Sequence, residues 1–129
     1  MFKPLARSSL LVAALVGASA VALGAFGAHA LRDVLDERAL AVWRTAVDYQ
    51  FWHALALLAL GAFARIHVTR SLCVAAIAFA LGIVLFCGSL YALALGAPRI
   101  VGAITPFGGV ALIAGWVALG VHAWRARIL

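Results

Sequence analysis

Long charge-free stretches dominate the hydrophobic pattern of this chain. They cover residues 8–31, 49–64, 71–98 and 100–124. A helix needs roughly 20 apolar residues to cross about 30 Å of hydrocarbon, and three of the stretches are long enough. The second reaches that length if Asp48 lies at one interface and the Arg65 side chain extends to the other. The pattern therefore predicts four transmembrane helices, over residues 8–30, 44–64, 71–96 and 101–124.

The connections between these stretches predict how the helices are arranged. Residues 65–70 and 98–99 form short connections, so the helices that they join should be antiparallel. In residues 31–47 the apolar side chains recur near one helical face, which favours an amphipathic helix at the membrane interface with Trp43 as its aromatic anchor. We expect an all-α integral membrane protein. Residues 1–129 would form a single antiparallel four-helix bundle, with an interfacial helical connection between helices 1 and 2.

The first stretch also has features of a secretory signal. Lys3 and Arg7 precede it, and residues 28–30 (Ala-His-Ala) match a cleavage site. Its apolar run is longer than the usual ~7 to 15 residues of a signal peptide. We therefore expect the stretch to be retained as a membrane anchor.

Composition agrees with a lipid environment. The chain is 67% hydrophobic and 11% charged, with a mean hydropathy of +1.16, which is outside the range of soluble domains. The net charge of +6 does not indicate nucleic-acid binding, because the arginines are scattered over short connections instead of forming one basic face.

The distribution of charge predicts the orientation. With the N-terminus inside, the inner segments carry Lys3, Arg7, Arg65, Arg70, Arg125 and Arg127, and the outer segments carry Arg32, Arg38, Arg44, Arg99 and all four acidic residues. The positive-inside rule then places both termini in the cytoplasm, as expected of a multi-pass protein of the inner membrane. The lipid bilayer is the first expected partner, and the basic inner side would meet anionic lipid.

Polar residues collect in the outer halves of the predicted helices. The set is His29, Asp48, Tyr49, Gln50, His53, Ser89, Tyr91 and Thr105. His29 ends the first predicted helix, whereas residues 48–53 begin the second. Ser89 and Tyr91 come late in the third, and Thr105 comes early in the fourth. All are therefore predicted to lie in one layer in the outer leaflet.

Two interpretations of this layer remain open. In the first, the side chains fix the packing by forming hydrogen bonds across helices, each contributing roughly 0.6 to 2 kcal/mol, around a helix break near Pro106. Alternatively, ionisable residues inside a membrane mark ligand, proton or redox sites. Neutral imidazoles at His29 and His53 could hold a haem iron or another metal, and the layer could bind a quinone, a lipid or another small molecule. We expect no metal and no resident cofactor.

Small residues predict close helix packing. Ala20, Gly24 and Ala28 repeat every four residues, which allows a neighbouring backbone to approach the first helix. Because the soluble fraction is very small and no complete catalytic constellation is visible, we expect no enzyme activity. The expected partner is a second copy of the chain or a larger membrane protein.

Five motifs, in this order, carry a family resemblance. They are residues 22–29 (Ala-Leu-Gly-Ala-Phe-Gly-Ala-His), residues 43–55 with Trp43, Thr45, Ala46, Tyr49, Gln50, His53, Ala54 and Leu55, residues 86–91 with Phe86, Gly88, Ser89 and Tyr91, residues 105–109 (Thr-Pro-Phe-Gly-Gly), and Gly115-Trp116. With these motifs the chain resembles the YgdD family, known as domain of unknown function 423, whose eukaryotic relatives are called transmembrane protein 256.

The resemblance implies a four-helix integral membrane protein of the cell membrane, without an established activity or cofactor. We therefore expect a structural, assembly or accessory component of a membrane complex. The alternative is a ligand-binding or redox membrane protein, with a quinone, a lipid or a bis-histidine haem held around His29 and His53 in the outer leaflet.

Overall fold

The computed structural model of the protein describes residues 3–126. This part of the chain contains five α-helices, α1 (Lys3–His29), α2 (Glu37–Phe63), α3 (Arg70–Gly82), α4 (Gly88–Ala94) and α5 (Thr105–Arg125). A π-helical turn, Ile83–Cys87, joins α3 and α4 into one continuous rod, and a 3₁₀ turn, Arg99–Ala103, leads into α5. The prediction of an all-α fold is confirmed.

Within the described residues, three helical stretches are long and apolar enough to cross a membrane. They are Pro4–His29, Arg70–Ala94 and Arg99–Arg125. The helix α2 has 27 residues but is not among them. Its first 12 residues include Glu37, Arg38, Arg44 and Asp48, so its apolar character is confined to its second half. The fourth predicted crossing therefore stays a prediction.

The connection between α1 and α2 differs from its prediction. Residues 30–36 form turns, and α2 begins at Glu37 without a separate interfacial helix. The Asp36 carboxylate accepts a hydrogen bond from the Ala39 backbone N–H at 2.7 Å, as an N-cap residue does. Leu31 is buried and holds the turn against the helices. Residues 37–47, predicted to lie along the interface, are thus the first turns of α2.

The helices α1 and α2 pack antiparallel along a face of small residues. Gly61 lies against Leu10, Gly17 against Ala54, and Gly24 against Val47. Ala20 is buried and Ala28 is exposed. The small-residue face of α1 is therefore present, and at its end Ala28 borders an open cavity between α1 and α2.

The rod and α5 approach each other through glycines. Gly82 lies against Leu112, and Gly115 lies against the Phe79 ring. At Gly108 the backbones themselves meet, because a Cβ placed there would lie 2.7 Å from the Cα of Phe86. Phe86 belongs to the π-helical turn, so the irregular part of the rod is the part that α5 touches most closely.

The order of packing puts α2 and the rod in the middle. The helix α1 packs mainly against α2, α2 also packs against the rod, and α5 packs mainly against the rod. The core between α2 and the rod contains Leu57, Leu60, Leu72, Phe79 and Cys87. The polar side chains predicted to form a layer therefore have to fit between these central helices.

Charge separates the two ends of the molecule. The first turns of α1, the connection after α2 and the last turn of α5 lie together, since Gly61 meets Ala6 and Leu10, and Thr69 is hydrogen-bonded to His122. We call this the basic end, because within residues 4–126 it carries Arg7, Arg65, Arg70 and Arg125 and none of the acidic residues. The opposite end, which we call the mixed end, carries Arg32, Arg38, Arg44 and Arg99 together with all four acidic residues.

Candidate functional site

Gln50 lies at the centre of a hydrogen-bond network that joins three helices. Its Nε2 donates to the carbonyl oxygen of Val16 at 3.0 Å and to Ser19 Oγ at 2.8 Å, both on α1. Its Oε1 accepts from the Tyr91 hydroxyl on α4 at 2.7 Å. The Gln50 side chain is only 6% exposed. One amide group therefore links α1, α2 and α4, and protein groups occupy both its nitrogen and its oxygen.

His53 makes the next connection, one turn further along α2. The Trp116 indole Nε1 on α5 donates to His53 Nε2 at 3.1 Å. An indole N–H can only donate, so Nε2 is the acceptor and carries no proton. The proton of this neutral imidazole is therefore on Nδ1, which donates to the Tyr49 carbonyl oxygen at 2.6 Å. Both ring nitrogens of His53 are thus used within the protein.

Trp43 is buried and does not form the predicted interfacial anchor. Its Nε1 donates to the Leu23 carbonyl oxygen on α1 at 2.9 Å, and its ring packs edge-on against Tyr91 with 4.6 Å between centroids. The space for the indole exists because residue 27 is glycine, since a Cβ there would overlap the Trp43 ring. Trp43 therefore joins α1, α2 and α4 on the side of the Gln50 network that is nearer to the mixed end.

Ser89 and Thr105 connect α4 to the start of α5. Ser89 Oγ donates to the Phe86 carbonyl oxygen at 3.0 Å, so Thr105 Oγ1 is the donor in the 2.6 Å hydrogen bond between the two hydroxyl groups. Pro106 follows in the first turn of α5, where its missing N–H costs nothing. The break expected near Pro106 is thus the beginning of a helix.

The predicted layer is spread along the helices instead of lying at one outer level. Gln50 is bonded to Val16, which is at the midpoint of the apolar stretch Pro4–His29. His53 packs against Phe79 and Trp116, each within about one turn of the midpoint of its own stretch. His29 ends α1 two residues after Gly27, which lies against Trp43, and Trp43 precedes His53 by ten residues, or roughly 15 Å along the axis. The predicted layer therefore extends from the end of the helices, at His29, to their middle, at His53.

His29 and Asp48 stand apart from the network. His29 is the last residue of α1, is exposed, and lies near the level of Trp43. The structure therefore does not bring it to His53. Asp48 is exposed on the surface of α2. Tyr49 is half-buried against Phe86 and contributes its backbone carbonyl to His53.

The buried polar atoms are satisfied by the protein itself. Within residues 3–126, every buried side-chain nitrogen or oxygen has a hydrogen-bond partner. In the same part of the chain, no group of three or more His, Cys, Asp or Glu side chains is placed to hold a metal ion. For these buried polar groups, hydrogen-bond partners on neighbouring helices take the place of water. Each hydrogen bond between two helices fixes one helix against the other.

Several of the pairings in this network are not apparent from the sequence. Ser19 and Trp116 are single residues in apolar runs, and their partners are 31 and 63 positions away. Thr69 and His122, bonded at 2.7 Å, form a further connection at the basic end. The sequence feature that could have identified Thr69 is its position just before α3. There its side chain accepts a hydrogen bond from the Leu72 N–H, as an N-cap residue does.

Comparison with known proteins gives a consistent result. Residues 23–109 match the family model described as "Protein of unknown function (DUF423)". The chain is 46% identical over 118 residues to a UPF0382 membrane protein of Staphylococcus saprophyticus, covering 90% of this chain and 96% of the relative. It is 45% identical over 105 residues to UPF0382 membrane protein YwdK of Bacillus subtilis, covering 81% and 85%. No solved structure matches significantly.

A further relative is named as an inner membrane protein. The chain is 40% identical over 121 residues to UPF0382 inner membrane protein YgdD of Escherichia coli, covering 94% of this chain and 92% of the relative. The matched family region, residues 23–109, includes every predicted polar-layer residue and also Trp43. It ends before Trp116, which the longer pairwise matches reach.

Proposed function

Because this chain belongs to the DUF423 family of proteins of unknown function and its relatives are membrane proteins, we propose that it spans the cell membrane four times and serves as a structural, assembly or accessory component of a membrane complex. The chain is a small membrane protein, and residues 3–126 include three apolar helices long enough to cross a bilayer. The number of crossings, the orientation and the role each rest on separate observations.

The fourth crossing is supported by the way in which α2 hides its polar groups. At 27 residues the helix is about 40 Å long, which suffices to cross a bilayer. Gln50 and His53 are buried against other helices, whereas Phe51, Trp52 and Leu55 are 40 to 54% exposed. Beyond Asp48, α2 therefore presents an apolar surface to its surroundings, as a lipid-facing helix does. With α2 included, the four helices form an antiparallel bundle.

The orientation is supported by the separation of charge between the two ends. The basic end carries arginines without acidic residues in the described part of the chain, and the mixed end carries all four acids. The positive-inside rule favours the basic end in the cytoplasm. The first turns of α1 and the last turn of α5 belong to the basic end, so both termini would be cytoplasmic.

The structural role is carried by the Gln50 network. An amide with its nitrogen and oxygen engaged by Val16, Ser19 and Tyr91 serves as a connector between helices. His53 is likewise bonded at both ring nitrogens. A ligand that used either residue would first have to break bonds that hold the helices together, which costs free energy in a medium without water.

The assembly role is supported by the outer surface. Large apolar side chains are exposed along α1, α2 and α5, for example Leu15, Leu55 and Ile113. The connections between helices are short, so little of the chain remains for contacts in water. Partners would therefore be met within the membrane, as a second copy or as a larger membrane protein.

The test is the size of the native assembly. The protein, tagged at one terminus and expressed at its natural level, would be extracted in mild detergent and separated by native electrophoresis and by size-exclusion chromatography with light scattering. We expect a protein mass above that of the 13.4 kDa chain. A monomer under all conditions, together with no cross-linked species in intact membranes, would contradict the proposal.

The same preparation tests the alternative function, which is ligand binding or redox chemistry. An absorption spectrum, oxidised and reduced, and mass spectrometry of the extracted small molecules would be recorded for the protein and for the variants His29→Gln and His53→Gln. A stoichiometric haem, quinone or lipid that disappears in these variants would favour a ligand-binding or redox protein. A spectrum of protein alone, with nothing stoichiometric extracted, is the result expected of a structural component.

A further inference from the structure

A groove between α1 and α3 opens on the surface of the molecule near the basic end. It is lined by Leu5, Ser8, Ser9 and Val12 of α1, by Leu57 of α2, and by Ala76, Ile77 and Ala80 of α3. We call it the α1–α3 groove. Leu57 and Ala76 are buried at its base, whereas Val12 and Ile77 are exposed along its rim. Its volume is about 180 Å³, more than ten times the roughly 10 to 15 Å³ that one water molecule requires. The groove therefore has room for part of a larger molecule.

The groove contains a hydroxyl group for which the protein supplies no partner. Ser9 is only 4% exposed. Among the serine and threonine hydroxyls of residues 4–126, that of Ser9 alone forms no hydrogen bond. The Leu5 carbonyl oxygen, one turn earlier, accepts from the Ser8 hydroxyl at 3.1 Å. Every side-chain oxygen that the protein encloses completely has a partner, so Ser9 Oγ must open onto the groove.

The depth of Ser9 indicates which acceptor it meets. Ser9 follows Arg7 by two residues, or roughly 3 Å along the axis, so it lies just inside the basic end. In a membrane, the ester carbonyl oxygens of phospholipids lie at this depth, between the phosphate groups and the acyl chains. A serine hydroxyl can donate to such an oxygen, and leaving it unpaired away from water costs free energy. Further from the basic end, the groove continues over the apolar Val12 and Ala80, where an acyl chain can pack.

Charge selects the kind of phospholipid. Arg70 is the exposed first residue of α3 and precedes Ile77 by seven residues, which puts both on one face of the helix, roughly 10 Å apart along the axis. Its guanidinium group can therefore meet a phosphate at the basic end of the groove. The same end carries Arg7, Arg65 and Arg125 and, within residues 4–126, none of the acidic residues. Basic pockets between membrane helices are typical sites for anionic lipid head groups.

We propose that the α1–α3 groove binds one anionic phospholipid, with an ester carbonyl oxygen hydrogen-bonded to Ser9 Oγ and the phosphate next to Arg70. One acyl chain lies along the groove between Val12 and Ile77. This site is separate from the polar network around Gln50, and it does not depend on the assembly role proposed above. It gives the Ser9 hydroxyl a partner, and it distinguishes one bound lipid from the lipid around the other exposed faces.

Lipids with and without ester carbonyls test the hydrogen bond. The purified protein, freed of lipid in detergent, would be titrated with diester phosphatidylglycerol or with its diether analogue of equal chain length. Native mass spectrometry would measure the Kd of the first bound lipid. Because the diether has no carbonyl acceptor for Ser9, we expect the diester to bind about three- to tenfold more tightly.

Three serine variants assign this preference to one hydroxyl. Ser9→Ala should bind the diester and the diether alike, whereas Ser9→Thr, which keeps a hydroxyl, should retain the preference. Ser8→Ala is the matched control, since the Ser8 hydroxyl lines the same groove but bonds to Leu5 of its own helix. It should retain the preference too. Thermal unfolding in lipid-free detergent should be the same for Ser9→Ala and the parent protein, so that a loss of lipid binding is not a loss of fold.

The choice of head group tests the charge. The parent protein should bind phosphatidylglycerol more tightly than phosphatidylcholine with the same acyl chains. Arg70→Gln should lower this preference about fivefold, as expected for the loss of one arginine next to an anionic lipid. Arg99→Gln, which replaces an exposed arginine of the mixed end, should leave the preference unchanged.

The opposite results would overturn the site. Equal affinity of the parent protein for diester and diether, or an unchanged preference in Ser9→Ala, would mean that the groove holds only bulk lipid or water. An unchanged head-group preference in Arg70→Gln would contradict an anionic lipid at this position. The size of the native assembly does not enter these measurements. Failure of the lipid site would therefore leave the proposed function standing, and a monomeric protein would leave the lipid site standing.

Discussion

Gln50 shows how a polar residue is accommodated among apolar helices. Its amide bridges Val16 and Ser19 on α1 and Tyr91 on α4, so one side chain fixes α2 relative to two neighbours. The sequence identifies Gln50 as a member of a polar set. It does not identify the partners, because they are 31 to 41 positions away and one of them is a backbone carbonyl.

Replacing Gln50 should weaken the fold measurably. Gln50→Leu removes three interhelical hydrogen bonds and leaves the Tyr91 hydroxyl without its acceptor, so we expect the free energy of unfolding to fall by about 2 to 4 kcal/mol. Thr45→Val is the matched control, because the Thr45 hydroxyl is exposed and bonds only to Ala41 of the same helix. Unfolding in detergent, followed by circular dichroism, measures both. Equal stability of the two variants would contradict a connecting role for Gln50.

The proton on His53 offers a second residue-scale prediction. Because the Trp116 indole donates to Nε2, we expect nitrogen NMR to find Nδ1 protonated and Nε2 unprotonated. Trp116→Phe removes the donor and should change the Nε2 resonance while leaving the Nδ1 bond to Tyr49 in place. A protonated Nε2 in the unsubstituted protein would show that the hydrogen bond to Trp116 is not formed.

At the scale of the elements, glycine allows helices to touch at their backbones, because it has no side chain. Gly108 lies so close to the π-helical turn that a Cβ would fall 2.8 Å from the Leu85 carbonyl carbon, and the atoms that it would meet belong to the backbone. Gly109, the next residue, has only the Phe86 ring near it, at 3.8 Å. Gly108 is therefore needed for the close contact between α5 and the rod, whereas Gly109 is not.

The different surroundings of Gly108 and Gly109 allow a matched pair of substitutions to be compared. Gly108→Ala should destabilise the protein by about 1 to 3 kcal/mol, or prevent folding, because the helix–rod contact has to open. Gly109→Ala should be neutral or stabilising, since alanine favours a helix by up to about 1 kcal/mol over glycine. Thermal unfolding of both variants under the same detergent conditions provides the measurement. If Gly108→Ala were tolerated as well as Gly109→Ala, the close approach of α5 to the rod would be incorrect.

The elements also show where sequence patterns succeed and fail. The long apolar runs predict the α1, rod and α5 helices, because a crossing requires an uninterrupted apolar length. The start of α2 is not predicted, because Arg38, Arg44 and Asp48 suggest a segment outside the membrane. In the structure Asp36 caps a continuous helix, and Trp43 finds a buried site against Gly27. Such a site depends on a residue 16 positions earlier, which local patterns do not reveal.

For the whole molecule, the separation of charge between the ends predicts its direction in the membrane. With Cys73 and Cys87 replaced by alanine, single cysteines would be placed at Ile66 in the basic end and at Val34 in the mixed end, both more than 70% exposed. A membrane-impermeant maleimide added to intact cells should label residue 34, whereas residue 66 should require opened cells. Labelling of residue 66 from outside would reverse the proposed orientation, and labelling of both from outside would contradict a membrane-crossing α2.

The π-helical turn also sets the angle through which α4 is rotated relative to α3. A π-helical turn accommodates about one residue more than an α-helical turn, and each residue advances a helix by about 100°. If the rod lost that residue it would be regular throughout, but the Tyr91 hydroxyl would turn away from Gln50, and Ser89 would turn away from Thr105. The irregularity at Ile83–Cys87 thus works as a fixed rotational offset, which lets a single rod present α3 to Leu112 and α4 to both α2 and Thr105.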